Sequence, residues 1–139
     1  MARILAIDFG RKRVGLAVSD PMGIIANGLD TIQNREVWNF LEDYTSREHV
    51  QTIVVGYPKK MNNEPSEAMQ YVEPFVKKLK IRYPAINVVL MDERFTSKMA
   101  LQAMIDGGVK KQARKDKGLV DKVSATIILQ SYLQTKNHL

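Results

Sequence analysis

The sequence has no cysteine. Disulfides, thiolate nucleophiles and zinc sites built on sulfur are therefore excluded. Histidine is nearly as scarce. Only His49 and His138 occur, and neither has a second histidine at ligand spacing, which argues against histidine metal sites and imidazole-based triads. No apolar run approaches the roughly 20 residues of a membrane span, and the N-terminal stretch lacks a signal-peptide pattern. The expectation is a cytoplasmic protein with no membrane partner. Acidic residues are the minority, 15 against 21 Lys and Arg, for a formal charge of +6. A basic balance makes an anionic partner the expectation, nucleic acid first. What remains is ordinary: 139 residues, 45% apolar and 26% charged, enough for one domain over 1–139 with a real core.

The chain is organised around Arg3-Ile4-Leu5-Ala6-Ile7-Asp8-Phe9-Gly10, an apolar run that ends on an aspartate and a glycine. Arg11-Lys12-Arg13 follows, then a second run, Val14-Gly15-Leu16-Ala17-Val18-Ser19-Asp20. Short apolar runs bounded by glycine and charge read as buried strands, here a hairpin with Asp8 at its mouth. Residues 23–32 predict a third strand, interrupted near Asn27-Gly28. Asn34 is the expected N-cap of a helix with Val37, Trp38, Leu41 and Tyr44 at helical spacing, up to about Arg47. Thr52-Ile53-Val54-Val55-Gly56 predicts a buried strand stopped by Gly56-Tyr57-Pro58.

A polar loop over 59–63 leads into a helical pattern with Met69, Val72, Val76 and Leu79 on one face. Pro74 is expected to kink or divide it, and Tyr83-Pro84 to end it. Asn87-Val88-Val89-Leu90-Met91 predicts another strand, running into Asp92-Glu93-Arg94. Thr96 reads as the N-cap of a helix ending at Gly107-Gly108, followed by a mobile basic loop over 109–118. A final helix over 119–134 has Val123, Ile127, Ile128 and Leu129 available for burial. This order predicts an α/β fold. Its mixed sheet has about five strands, an antiparallel three-strand meander followed by parallel strands, with helices on both faces.

Acids fall at comparable places: Asp8 ends the first strand, Asp92 or Glu93 the last, and Asp121 opens the final helix. The carboxyl ends of parallel strands form the edge where such folds bind ligands. Asp121 joins that edge if the last helix packs beside the first strand. Crowded carboxylates are tolerated with cations between them. A pair of Mg²⁺ ions held this way cuts phosphodiesters, one activating water and the other stabilising the leaving oxygen. Each acid alone has an ordinary structural role: a solvated strand end, a helix-dipole partner, a surface partner for Arg94. Jointly, in a basic protein, Asp8, Asp92, Glu93 and Asp121 are candidate metal ligands. Candidate phosphate contacts surround them: Arg11, Lys12 and Arg13, Lys59 and Lys60, Arg94 and Lys98, and Lys110, Lys111, Arg114 and Lys115. Lys77, Lys78 and Lys80 read as lysines of a solvated helix face.

Four stretches, in order, resemble the motifs of the YqgF (RuvX) family. They are Asp8 to Asp20 as quoted above, Val54-Val55-Gly56-Tyr57-Pro58, Asp92-Glu93-Arg94-Phe95-Thr96, and Asp121-Lys122-Val123-Ser124-Ala125-Thr126-Ile127-Ile128-Leu129. The resemblance implies a ribonuclease H-like fold. It also implies a nuclease, described in the family as a Holliday-junction resolvase and as the enzyme maturing the 5′ end of small-subunit ribosomal RNA. Carried over by motif, Asp8, Glu93 and Asp121 would be the catalytic, metal-binding acids, with Asp92 the substitute within its pair. The implied cofactor is Mg²⁺ or Mn²⁺. The implied partners are structured RNA such as a ribosomal RNA precursor, or branched DNA, with ribosomal particles a further partner and the protein acting as monomer or homodimer.

Two departures stand out. Residues 59–64 contain no glycine where the family has one, and no acid follows the strand ending in Gly56, where RuvC-type resolvases carry one. Two rival readings are kept. One is a non-cleaving nucleic-acid-binding assembly factor. The other is nucleotide hydrolysis, since Asp8-Phe9-Gly10 also resembles the phosphate turn of actin-like ATPases, which need two such domains.

Overall fold

The computed structural model describes residues 2–57, 69–92 and 117–137. The apolar runs form strands β1 (Arg3–Phe9), β2 (Arg13–Ser19), β3 (Ala26–Gln33), β4 (Val50–Tyr57) and β5 (Asn87–Asp92), with helices α1 (Val37–Arg47), α2 (Met69–Arg82) and α3 (Lys117–Asn137). The five strands make one sheet in the order β3-β2-β1-β4-β5. β1 is antiparallel to β2 and β2 to β3, whereas β1–β4 and β4–β5 are parallel. This is the expected meander joined to a parallel half.

β1 runs through the middle, which is why Ile4, Leu5, Ala6 and Ile7 are all 0% exposed. A strand covered on both faces needs apolar residues at every position. Alternation divides them. Leu5 and Ile7 pack with Val37 and Leu41 of α1 and Val72, Phe75, Val76 and Leu79 of α2. Ile4 and Ala6 pack on the other face with Ala17, Val54 and, from α3, Ala125, Ile128, Leu129 and Leu133.

Several local expectations are refined. The interruption in β3 is a bulge: the register with β2 jumps from Leu16↔Asp30 to Ala17↔Gly28, leaving Leu29 as the extra residue. Pro74 lies inside a helix that continues across it from Met69 to Arg82. Asn34 does not cap a helix with its side chain; a short 3-10 turn over Asn34–Glu36 precedes α1. Its amide instead donates to the Gly10 carbonyl at 2.6 Å, and its backbone N–H donates to the Lys12 carbonyl at 2.9 Å. On α3, Ile128 and Leu129 are buried as expected, but Ser124 and Ala125 face the sheet while Val123 and Ile127 are half-exposed. Among the described residues no helix is long and apolar enough to cross a membrane. The polar loop at 59–63, the helix expected after Thr96 and positions 109–116 of the expected basic loop lie outside the described residues, whereas its last two positions, Lys117 and Gly118, already belong to α3.

Candidate active site at the carboxyl edge of the sheet

Asp8 is the penultimate residue of β1 and shares the α3 face with Ile4 and Ala6, since side chains alternate along a strand. Its register partners on both sides are glycines, Gly15 on β2 and Gly56 on β4. Without side chains there, the sheet around the carboxylate is open on that face. α3 fills part of the opening. A Cβ added to Gly15 would fall on the Asp121 backbone carbonyl, well inside van der Waals contact. Only glycine lets the helix backbone come this close. The start of α3 therefore lies against the residue paired with Asp8, and Asp8 and Asp121 are brought to one place. Two acidic residues 113 positions apart in the chain thus have their backbones beside one β-bridge, Asp8 within it and Asp121 packed on its Gly15.

The Asp121 carboxylate is held. Arg13, the first residue of β2, donates from Nε to Asp121 Oδ2 at 2.8 Å, with the two side chains 39% and 25% exposed. One turn along α3, Ser124 Oγ is buried with no hydrogen-bond partner among the described residues. The remaining acids are less fully described. Asp92 is the last residue of β5, opposite Tyr57 in the register that follows Gly56↔Met91, so its backbone sits at the same edge as Asp8. Its side chain is outside the described set, as is all of Glu93. No group of three or more potential ligands is present among the described residues.

The basic run after β1 is divided by the sheet rather than gathered. Arg13 goes to Asp121. Arg11 goes to the opposite face, where its guanidinium lies over the Tyr71 ring, 6.0 Å from the centroid. Lys12 is exposed in the turn. That turn is fixed by the Asn34 contacts and by Gly10 N–H donating to the Arg13 carbonyl at 3.0 Å, an arrangement for which the sequence offers no local signal. Lys59, Lys60, Arg94, Lys98, Lys110, Lys111, Arg114 and Lys115 all lie outside the described residues.

A second feature at this edge has no signature in the sequence. On the α1–α2 face, Phe9, Trp38, Tyr71 and Phe75 gather around a cleft of about 450 Å³, with Arg11 and Lys78 in its lining. Lys78, read above as a solvated lysine, has its Nζ over the Trp38 ring, 5.2 Å from the centroid. The four rings come from three separate elements, so no window of the sequence brings them together. His49 is remote from both features: its carbonyl accepts from Arg3 N–H at the other end of β1.

Comparison with known proteins places the chain in a family. A sequence profile of the RuvX family, described as Holliday junction resolvase, matches residues 2–135. A protein of Bacteroides fragilis (strain ATCC 25285) named "Putative pre-16S rRNA nuclease" is 56% identical over 136 residues, covering 98% of this chain and 99% of that protein. A Phocaeicola vulgatus protein of the same name is 53% identical over 139 residues, covering 100% of each. Among solved structures, "T. thermophilus RuvC in complex with Holliday junction substrate" aligns with a TM-score of 0.58 at 17% identity, over 98% of this chain and 97% of that one. A second Thermus thermophilus RuvC structure gives 0.54 at 16% identity, over 96% of each. At such identities the likeness is one of fold, the ribonuclease H-like fold expected from the motifs. With the four motifs in order and the profile spanning nearly the whole sequence, the chain belongs to the RuvX family.

Proposed function

We propose that this chain is a metal-dependent nuclease that hydrolyses phosphodiester bonds at the 5′ end of precursor 16S ribosomal RNA. Asp8, Asp121 and Glu93 are its acids, with Asp92 in place of Glu93 if the pair is read one residue earlier. The observation that carries this reading is the packing of the Asp121 backbone onto Gly15, the bridge partner of Asp8. The names of the close relatives support the RNA substrate. The family description, and the Holliday junction held by the RuvC of similar fold, make branched DNA the alternative.

The residues present fit a hard divalent ion. The donors are carboxylate oxygens, and Mg²⁺ is commonly held by one or two carboxylates while keeping several waters. A buried hydroxyl with no partner among the described residues, Ser124 Oγ, suits such a hydrated ion. Mg²⁺ or Mn²⁺ bound there would supply an activated water and charge stabilisation at the leaving oxygen. The protein's own groups do the rest. Arg13 orients Asp121 through Nε, and its guanidinium has further donors for a phosphate oxygen. Arg11, Lys12, Lys59, Lys60, Arg94 and Lys98 and the basic run at 110–115 supply cations to neutralise the backbone.

The test incubates purified protein with a precursor 16S ribosomal RNA and, in parallel, a four-way DNA junction, each with Mn²⁺ and with chelator. Products from the RNA that vanish with chelator are expected. Cutting of the junction alone would replace this reading with the resolvase. Salt-sensitive binding without any product would leave the non-cleaving assembly factor.

A further inference from the structure

The geometry points to a second nucleic-acid site: the aromatic cleft between α1 and α2 takes an unstacked base of a single-stranded RNA segment, whose phosphates lie on Arg11 and Lys78. The choice of RNA as occupant rests on the proposed nuclease function; the shape and charge of the cleft do not. Its floor is Phe75, 5% exposed and stacked on Phe9 with ring centroids 4.0 Å apart and 14° between planes. Tyr71 and Trp38, both half-buried, flank them at 6.1 Å from Phe9 and 5.3 Å from Phe75. Half-buried rings facing an open cleft have surface left to cover. A nucleobase is a flat π system that stacks on such rings with little regard to its identity.

The charge fits the same occupant. Among the described residues, two cations and no carboxylate line the cleft, although 15 acids are available in the chain. Duplex bases are already stacked on each other, so only an unpaired base can enter. Position ties the cleft to the acids. Phe9 follows Asp8 on β1, and alternation sends the two side chains to opposite faces of one sheet edge. An RNA strand with a phosphate at Asp8 can pass over this edge and lay a nearby base against Phe9. The cleft would thus hold the unpaired flank of the substrate while the acids act on its backbone.

Trp38 is the only tryptophan, so its emission reports on the cleft directly. The full-length protein, with chelator present to prevent cleavage, is titrated with a single-stranded oligoadenylate and with a blunt RNA duplex. Saturable quenching of Trp38 by the single strand and none by the duplex is expected. Tyr71→Leu should weaken the single-strand response roughly tenfold, as expected for loss of one stacked base. Tyr71→Phe should retain it. The exposed Lys78→Gln should weaken it and make it less sensitive to salt without disturbing the fold, which circular dichroism verifies.

Binding seen by anisotropy with no change in Trp38 emission would overturn the proposal, as would wild-type affinity in Tyr71→Leu. A parallel Mn²⁺ cleavage assay keeps the two readings apart. Cutting without a Trp38 response removes the cleft and keeps the nuclease, whereas a Trp38 response without cutting removes the nuclease and keeps the cleft.

Discussion

At Asp8 the neighbours matter as much as the carboxylate. Gly15 and Gly56 flank it in the sheet, so no side chain on its own row covers it, and the Asp121 backbone approaches on the Gly15 side. Replacing Asp8 with Asn keeps the shape and removes the charge. That variant should lose Mn²⁺-dependent cleavage while its unfolding midpoint stays near that of the wild type; full activity would reject Asp8 as a metal ligand. A different carboxylate controls the β2–β3 turn. Asp20 accepts hydrogen bonds from Ile25 N–H at 2.8 Å and Ile24 N–H at 2.7 Å, and these bonds, Ile25 first, hold its pKa below the ordinary value. A lowered folded-state pKa stabilises above the unfolded value and is lost as pH falls through the folded one. Urea midpoints between neutral pH and about pH 3 should therefore fall more steeply for the wild type than for Asp20→Asn. Equal slopes would show that the turn does not hold the charge.

At the scale of elements, the site depends on how closely α3 can lie on β2 and β3. Gly15 admits the Asp121 backbone, and at Gly28 an added Cβ would stand 3.1 Å from Lys122 Cγ and 3.2 Å from Thr126 Oγ1. Ser124 and Ala125 answer from the helix with small side chains. A helix with bulky residues at those positions would stand further off and carry Asp121 away from Asp8. Gly15→Ala should therefore cost about 1–3 kcal/mol of stability, the usual range for overpacking, read from urea unfolding. Cleavage should suffer more than folding, because the clash is with the backbone of Asp121 itself. If Gly15→Ala cuts RNA at the wild-type rate, the spacing of α3 does not set the geometry of the acids. The β1–β2 turn acts in the opposite sense, spreading a compact basic run over two faces so that Arg13 and Arg11 serve different features.

For the molecule as a whole, a charge of +6 predicts that RNA affinity falls steeply with salt, because each neutralised phosphate releases condensed counterions. Removing Lys110, Lys111, Arg114 and Lys115 together should flatten the slope of log affinity against log salt by up to about 3, at roughly 0.7 per contact on single-stranded RNA. An unchanged slope would show that this run does not touch phosphate. The effect is independent of cutting, so the same variant separates binding from catalysis. The sheet divides the remaining work. Its α3 face carries Asp8, Asp121 and Arg13, and its α1–α2 face carries the aromatic cleft with Arg11 and Lys78.

The sheet was legible in the sequence because buried strands need unbroken apolar runs and turns need glycine, proline or charge. The five strands, the mixed topology and helices α1, α2 and α3 follow from that local chemistry, and the family followed from four motifs in order. Asp8 and Asp121 could be named as candidates because each ends or begins an element, but their meeting depends on a contact between a helix backbone and a glycine on another strand. Asn34 shows the same limit: its residue type fits a helix cap, whereas its actual partner, the Gly10 carbonyl, lies 24 positions away. Lys78 and the rings around it show the limit most plainly. Periodicity assigns a residue to a face of its own helix, and only packing decides what that face meets. Local sequence specifies elements because their hydrogen bonds and periods are short-range; the cleft and the pairing of Arg13 with Asp121 arise from contacts between elements, which no local pattern encodes.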